Sequence, residues 1–179
     1  MSMKKLEQKF EKFLFVSRWL LTPFYLGLMA GIIILLYKFF KELAVTFSAL
    51  GSGSLSGSEI IISVLTLVDI CLVANLLIII IFSGYESFVS KIELDGHEDR
   101  PEWMGKVGFS ALKIKVIGSI VAISAIDLLK VFVEVEEMFQ KNPEMANQQI
   151  MWKVLIHITF VISGVLFAVM DRTQAKKSA

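Results

Sequence analysis

Hydrophobic and polar positions along this chain are segregated into blocks rather than interleaved. Four apolar runs lie near residues 20–37, 60–82, 114–133 and 150–170. Each is close to the length a helix needs to cross the hydrocarbon of a bilayer. Charged or turn-rich stretches separate them. In lipid every backbone N–H and C=O must find a partner within the protein, which makes the helix the form for runs of this kind. The pattern predicts an all-α, polytopic membrane protein with four transmembrane helices, at 19–41, 59–85, 110–135 and 149–171. Nothing marks off a separate soluble unit, so residues 1–179 read as a single membrane domain.

The segment before the first span has a different periodicity. Leu6, Phe10, Phe13 and Leu14 share a helical face, with Lys5, Lys9 and Lys12 off it. This predicts an amphipathic interfacial helix at 3–18 on the inner leaflet, with Trp19 at headgroup depth. A solvated extension of the first span is the other form it could take. In the first span, Pro23 falls in the opening turns, where its missing donor does little harm. Gly27 and Gly31 offer a small-residue step for close helix approach.

The connecting segments carry little chemistry. Residues 51–57, Gly-Ser-Gly-Ser-Leu-Ser-Gly, read as a flexible external linker. They lack the spacing and the preceding strand of a phosphate-binding loop. The loop at 86–105 is acidic, and Asp95, His97 and Asp99 within it offer metal-type donors. No supporting shell accompanies them, and Arg100-Pro101 makes a turn, so a solvated loop is expected and no metal site. The segment 134–149 is a polar connector, with Asn142-Pro143 ending any extension of the third span.

Composition agrees with the blocks. Of 179 residues, 55% are hydrophobic, above the 45–50% or so of soluble domains, and mean hydropathy is +0.69. The formal net charge of +1 gives no bulk electrostatic case for nucleic acid. Cys71, the sole cysteine, excludes an internal disulfide and a cysteine-based metal cluster within the chain. Lys4, Lys5, Lys9, Lys12 and Arg18 precede the first run as they would in a secretory signal. That run is too long for a signal core and is closed by Lys38 and Lys41, so a retained span is expected.

Charge also predicts orientation. Thirteen Lys and Arg lie on one side: the five just named, then Lys91, Arg100, Lys106, Lys113 and Lys115, then Arg172, Lys176 and Lys177. Five lie on the other: Lys38, Lys41, Lys130, Lys141 and Lys153. The positive-inside rule places both termini and the middle loop in the cytoplasm, as an even number of spans requires.

The candidate functional residues are polar groups at membrane depth. The second span carries Ser63, Thr66, Asp69 and Asn75. The third carries Ser119, Ser124 and Asp127, and the fourth Lys153, His157, Thr159 and Ser163. By helical rise, Asp69, Asp127 and His157 fall in the outer half of the bilayer and could converge. In the fourth span Lys153, His157, Gly164, Ala168 and Asp171 lie along one stripe, facing the bundle or a pore. Gly118, Ala122 and Ala125 give the third span a small-residue face.

Three readings meet at Asp69, Asp127 and His157. A proton or ion pathway needs groups that change charge, and His and a desolvated Asp are such groups. Thr66, Asn75, Ser124 and Lys153 would add to its lining. A packing role needs only hydrogen bonds between helices, and Lys130, one turn beyond Asp127, could pair with it. Catalysis needs a nucleophile and a base within hydrogen-bond reach, and no catalytic motif is present. No enzyme activity and no cofactor is expected. Arg18, Glu86, Lys115, Asp171 and Arg172 mark the inner ends, as interfacial anchors and ion pairs or as a charged vestibule.

Several stretches resemble one family. They are Ser17-Arg-Trp-Leu-Leu-Thr-Pro-Phe-Tyr-Leu-Gly-Leu28, Leu65-Thr-Leu-Val-Asp69, Phe82-Ser-Gly-Tyr-Glu-Ser-Phe-Val-Ser90, Lys115 to Lys130, and Trp152 to Arg172 with Ile156-His-Ile-Thr-Phe160 inside it. Together they are similar to the YqhA-like family of bacterial inner-membrane proteins. The resemblance implies a four-helix inner-membrane fold and supplies no catalytic residues. The expectation is a homo-oligomeric channel or transporter-like protein for protons or small ions. Asp69 and His157 would line the route and Asp127 would guard its outer mouth. The rival is a structural or accessory protein whose partner is lipid or another membrane protein.

Overall fold

The computed structural model describes residues 3–90 and 109–178, with side chains at 7–90 and 113–173. The loop holding Asp95, His97 and Asp99 lies outside these. Five helices follow in order: α1 Met3–Ser17, α2 Thr22–Gly51, α3 Gly57–Phe88, α4 Phe109–Lys141 and α5 Pro143–Ser178. One 3-10 turn, Arg18–Leu21, joins α1 to α2. No described residue is in a strand, and four helices are long and apolar enough to cross a membrane.

The helices outrun the apolar runs. α2 to α5 contain 30, 32, 33 and 36 residues, or about 45–54 Å each at the usual rise. The hydrocarbon core is only about 30 Å thick. Hydropathy marks where lipid ends, whereas a helix ends where a breaker or a cap stops it. Accordingly α2 continues past Lys41 to Gly51.

The glycine–serine segment carries a helix stop followed by a helix start. Gly53, at φ +65°, donates to Leu50 O, and Ser54 N donates to Ala49 O, closing α2 with a left-handed glycine cap. Ser56 then starts α3. Its backbone N–H donates to Glu59 Oε2 at 2.7 Å, and its Oγ accepts from Glu59 N at 3.4 Å, a reciprocal capping box. At the other sharp turn Asn142 does both jobs. Its N–H donates to Met138 O, and its Oδ1 accepts from Met145 N, ahead of Pro143 at the start of α5.

Among the described residues each long helix packs on its neighbour in sequence, α2 on α3, α3 on α4 and α4 on α5, and the backbones of α2 and α5 do not approach one another. The spans form an open row, not a closed bundle. Burial follows from this. Among the described residues, Ile70, Ile81, Ser83, Gly84 and Val89 are buried on or just after α3, with Val131 on α4 and Ala146 on α5. α2 buries none. Large apolar side chains stay open along both edges, among them Phe24, Ile33 and Tyr37 on α2 and Ile162, Val165 and Leu166 on α5.

α1 shares no packing with the spans beyond the 3-10 turn, and the backbone stays right-handed helical from Ser17 to Thr22. Phe10, Phe13 and Leu14 are all exposed, and Glu7–Gly51 runs on as one helical stretch of 45 residues. Arg18 lies 3.7 Å over the Phe15 ring and donates from Nε to Phe15 O. Of the expected small-residue contacts, Gly31 meets Leu77 of α3, while Gly27 and Gly118 face open space.

Candidate functional site

α4 holds the site together because it lies between α3 and α5. Ser124, Asp127 and Lys130 follow each other at three-residue steps. Each step turns the direction back by about 60°, so the three fan across about 120° of the helix. One edge of the fan reaches α3 and the other reaches α5.

On the α3 side, Lys130 Nζ donates to Asp69 Oδ2 at 3.2 Å, with side-chain exposures of 18% and 29%. The other oxygen, Asp69 Oδ1, is buried and has no hydrogen-bond partner. On the α5 side, Lys153 Nζ contacts both oxygens of Asp127, at 3.0 and 2.9 Å. This pair is more open, at 35% for Lys153 and 52% for Asp127. One turn deeper, Ser124 Oγ lies 2.9 Å from His157 Nδ1 and also donates to Val121 O at 2.9 Å. With the hydroxyl hydrogen on Val121 O, Nδ1–H is the donor to Ser124, and a neutral imidazole keeps its Nε2 lone pair for another partner.

These residues share one depth. Asp69, Lys130, Asp127, Lys153 and His157 stand about 15–21 Å from their helix ends at the two short turns. That puts them inside the hydrocarbon when helices of about 50 Å straddle a 30 Å core. The expected convergence of Asp69, Asp127 and His157 thus takes the form of three neighbouring contacts bridged by α4. The three side chains do not bond to one another.

Lys130 lies one turn from Asp127 on the same helix, and the spacing alone would allow the two to pair. It pairs with Asp69 instead, because the fan turns it toward α3 while Lys153 reaches Asp127 from α5. The α5 stripe is as expected. Lys153, His157, Gly164, Ala168 and Asp171 are all half-buried, as are Ile150, Val154 and Ser163, and Gly164 lies against Ile117 of α4. Thr66 spends its hydroxyl on Ile62 O within α3. Asn75 is exposed on α3, away from the cluster. At the other end of the spans, Glu86 and Asp171 are half-buried, Lys115 and Arg172 exposed, and Arg18 is held by Phe15.

Ser124 and His157 are a hydroxyl and an imidazole in contact, so nucleophilic chemistry needs testing against the geometry. Ser124 sits mid-helix, where backbone N–H groups are committed to the helix and cannot serve a developing oxyanion. Asp127 is held by Lys153 rather than by the imidazole. The arrangement is that of a hydrogen bond between helices.

A second constellation had no signal in the sequence patterning. Near the α1 end of the row, Tyr25 of α2 meets Tyr85 of α3 edge-on, ring centroids 6.0 Å apart at 78°. Its hydroxyl lies over Gly84. Ser83, 2% exposed, and Thr22 have hydroxyl oxygens that are buried without partners.

Four helices long and apolar enough to cross a membrane mark a multi-pass membrane protein. The chain belongs to the UPF0114 family, described as an uncharacterised protein family, whose model matches residues 14–132. It is 41% identical over 167 residues to a UPF0114 protein in the repA1-repA2 intergenic region of Buchnera aphidicola subsp. Baizongia pistaciae (strain Bp), covering 93% of this chain and 96% of that one. No solved structure matches it. Asp69, Asp127 and Lys130 fall inside the family match; Lys153 and His157 lie beyond it.

Proposed function

We propose that this is a multi-pass protein of the bacterial inner membrane, with both termini cytoplasmic, in which several copies assemble to pass protons or small ions. Asp127, Lys153 and His157 would line the route, with Asp69 and Lys130 behind them. The observation that carries this reading is the exposed Asp127–Lys153 pair at membrane depth. A charged pair left open to hydrocarbon is expensive, and intramembrane charges generally face water or another polar surface. An open row of helices encloses no channel, so water at this depth would run between copies. Orientation has further support. Lys130 and Lys153, two of the five positive charges on the minority side, are neutralised within the spans, which sharpens the asymmetry of the loops.

A non-transporting structural or accessory role, with lipid or another membrane protein as partner, is the second reading. It is favoured by charge balance, because each aspartate already has its lysine. Neither reading assigns a catalytic step or a cofactor. Proteoliposomes loaded with a proton- or cation-sensitive dye separate the two. The first reading expects flux above protein-free vesicles, reduced by Asp127→Asn and by His157→Ala. Leak-level flux in the parent, together with loss of folding in Asp69→Asn, selects the second.

A further inference from the structure

We infer that α1 pairs in parallel with α1 of a second copy, and that the contact runs on to Phe24 at the start of the first span. This rests on the proposed function only for the premise that copies meet, and it names the face they use. Glu7–Gly51 is one helical stretch of 45 residues, about 70 Å at the usual rise. That is more than twice a hydrocarbon core of about 30 Å, and the apolar run begins only near residue 20. α1 therefore stands clear of the other spans and packs on nothing beyond the 3-10 turn. Its large apolar side chains are nonetheless open: Phe10 is 62% exposed and Phe13 69%, followed by Leu20 at 72% and Phe24 at 71%.

Spacing and charge decide what covers this face. From Met3 to Phe13 the apolar residues are Met3, Leu6, Phe10 and Phe13 and no others, and Ser17, Leu20 and Phe24 continue the same alternation of three and four. Such a repeat makes a narrow seam that suits two helices winding on each other. A helix bedded in lipid presents a wider apolar face. Leu14 and Val16 broaden the seam only where it nears the span. Ser17, its polar member, spends its hydroxyl on Leu14 O. The charges are divided. Lys5, Lys9 and Lys12 fall on one flank of the seam, Glu7 and Glu11 on the other with Lys4 behind them. Copies inserted by one charge pattern face the same way, so a two-fold axis along the membrane normal sets the two α1 helices parallel. The basic flank of each copy then lies along the acidic flank of the other, with Lys9 of one beside Glu7 of the other. Antiparallel pairing would set Lys9 against Lys9, and an anionic lipid surface would meet Glu7 and Glu11. The contact uses the α2 edge of the row and leaves the Asp127–Lys153 pair uncovered.

The test is self-linkage of single cysteines in a Cys71→Ala background, with the full chain in lipid vesicles under a membrane-permeant oxidant. Identical seam positions face each other across a two-fold axis, so Phe10→Cys and Phe13→Cys should each link to themselves. Gln8→Cys, on the opposite face, is the control. Because a disulfide needs Cα atoms within about 7 Å, linkage at 10 and at 13 should be faster than at 8 by about tenfold or more. α1 packs on no span, so these variants keep the spans folded. Lys9→Glu added to Phe13→Cys sets Glu against Glu and should slow linkage about twofold, the worth of an exposed pair. Glu7→Lys added in turn should restore it. Linkage at 10 and 13 no faster than at 8, linkage only between 10 and 13 in a mixture, or a rate indifferent to Lys9→Glu overturns the parallel pair. Unlinked cysteines at 10 and 13 that also resist a charged thiol reagent give the face to lipid and overturn it too. Linked copies that pass no ions keep the pair and overturn the route; flux without linkage keeps the route and overturns the pair.

Discussion

A Cβ built on Gly84 of α3 falls 2.8 Å from the Tyr25 hydroxyl oxygen and 3.0 Å from its Cε1. Glycine is what lets α2 and α3 close at this end of the row. The Tyr25 ring cannot swing aside freely, because its edge contact with Tyr85 would be lost. Gly84→Ala should destabilise the protein by about 1–3 kcal/mol, the usual cost of overpacking. Thermal unfolding in detergent checks this, and Tyr25→Phe in the same background should recover part of the loss.

The other helix pair with a close glycine should behave alike. A Cβ at Gly164 would lie 3.1 Å from Ile117 Cγ2, whereas Gly27 and Gly118 have nothing within 4 Å. Gly164→Val should therefore cost about 1–3 kcal/mol by pushing α5 off α4. Gly27→Ala and Gly118→Ala should be neutral or slightly stabilising in the same melts.

The Asp127–Lys153 pair should behave as a reversible unit. Either Asp127→Lys or Lys153→Asp alone places two like charges together, and each should lower stability. The double exchange should restore most of it. A double-mutant cycle with Asp127→Asn and Lys153→Gln should give a coupling of about 0.5–1.5 kcal/mol, the range for hydrogen bonds between membrane helices. A coupling of zero would mean that the contact does not persist in lipid.

Cys71 supplies a native control for depth. It is exposed on α3 in an apolar groove with Ile32, Leu35, Leu36, Phe39, Ile70 and Ala74. A charged reagent does not enter hydrocarbon. In intact membranes Cys71 should resist a charged, water-soluble thiol reagent and should react after the protein is unfolded in denaturing detergent.

The spans were legible because lipid imposes a long, unmixed apolar run on each of them, and such a run needs no tertiary information to be seen. The α5 stripe was legible for a related reason: Lys153, His157 and Gly164 share one face of a helix otherwise made of Ile, Val, Leu and Phe. What lay hidden depended on which helix stands beside which. Spacing alone offered Lys130 to Asp127; only the position of α4 between α3 and α5 sends it to Asp69. The contact of Tyr25 with Gly84 needs the register of α2 against α3, which helical periodicity does not encode. In the turn at 51–57 the composition pointed to a linker, and the structure adds that Gly53 is a helix stop and Ser56 with Glu59 a helix start.

Water at the Asp127–Lys153 pair is the premise of the proposed route, and thiol reactivity measures it most directly. Asp127→Cys and His157→Cys, each in a Cys71→Ala background, would be compared in lipid vesicles with Ile162→Cys on the opposite face of α5. Charged thiol reagents attack the thiolate, which forms only where water reaches. The prediction is modification at positions 127 and 157 faster than at 162 by about tenfold or more. Equal and negligible rates at all three would place the ion pairs against lipid or dry protein and contradict the route.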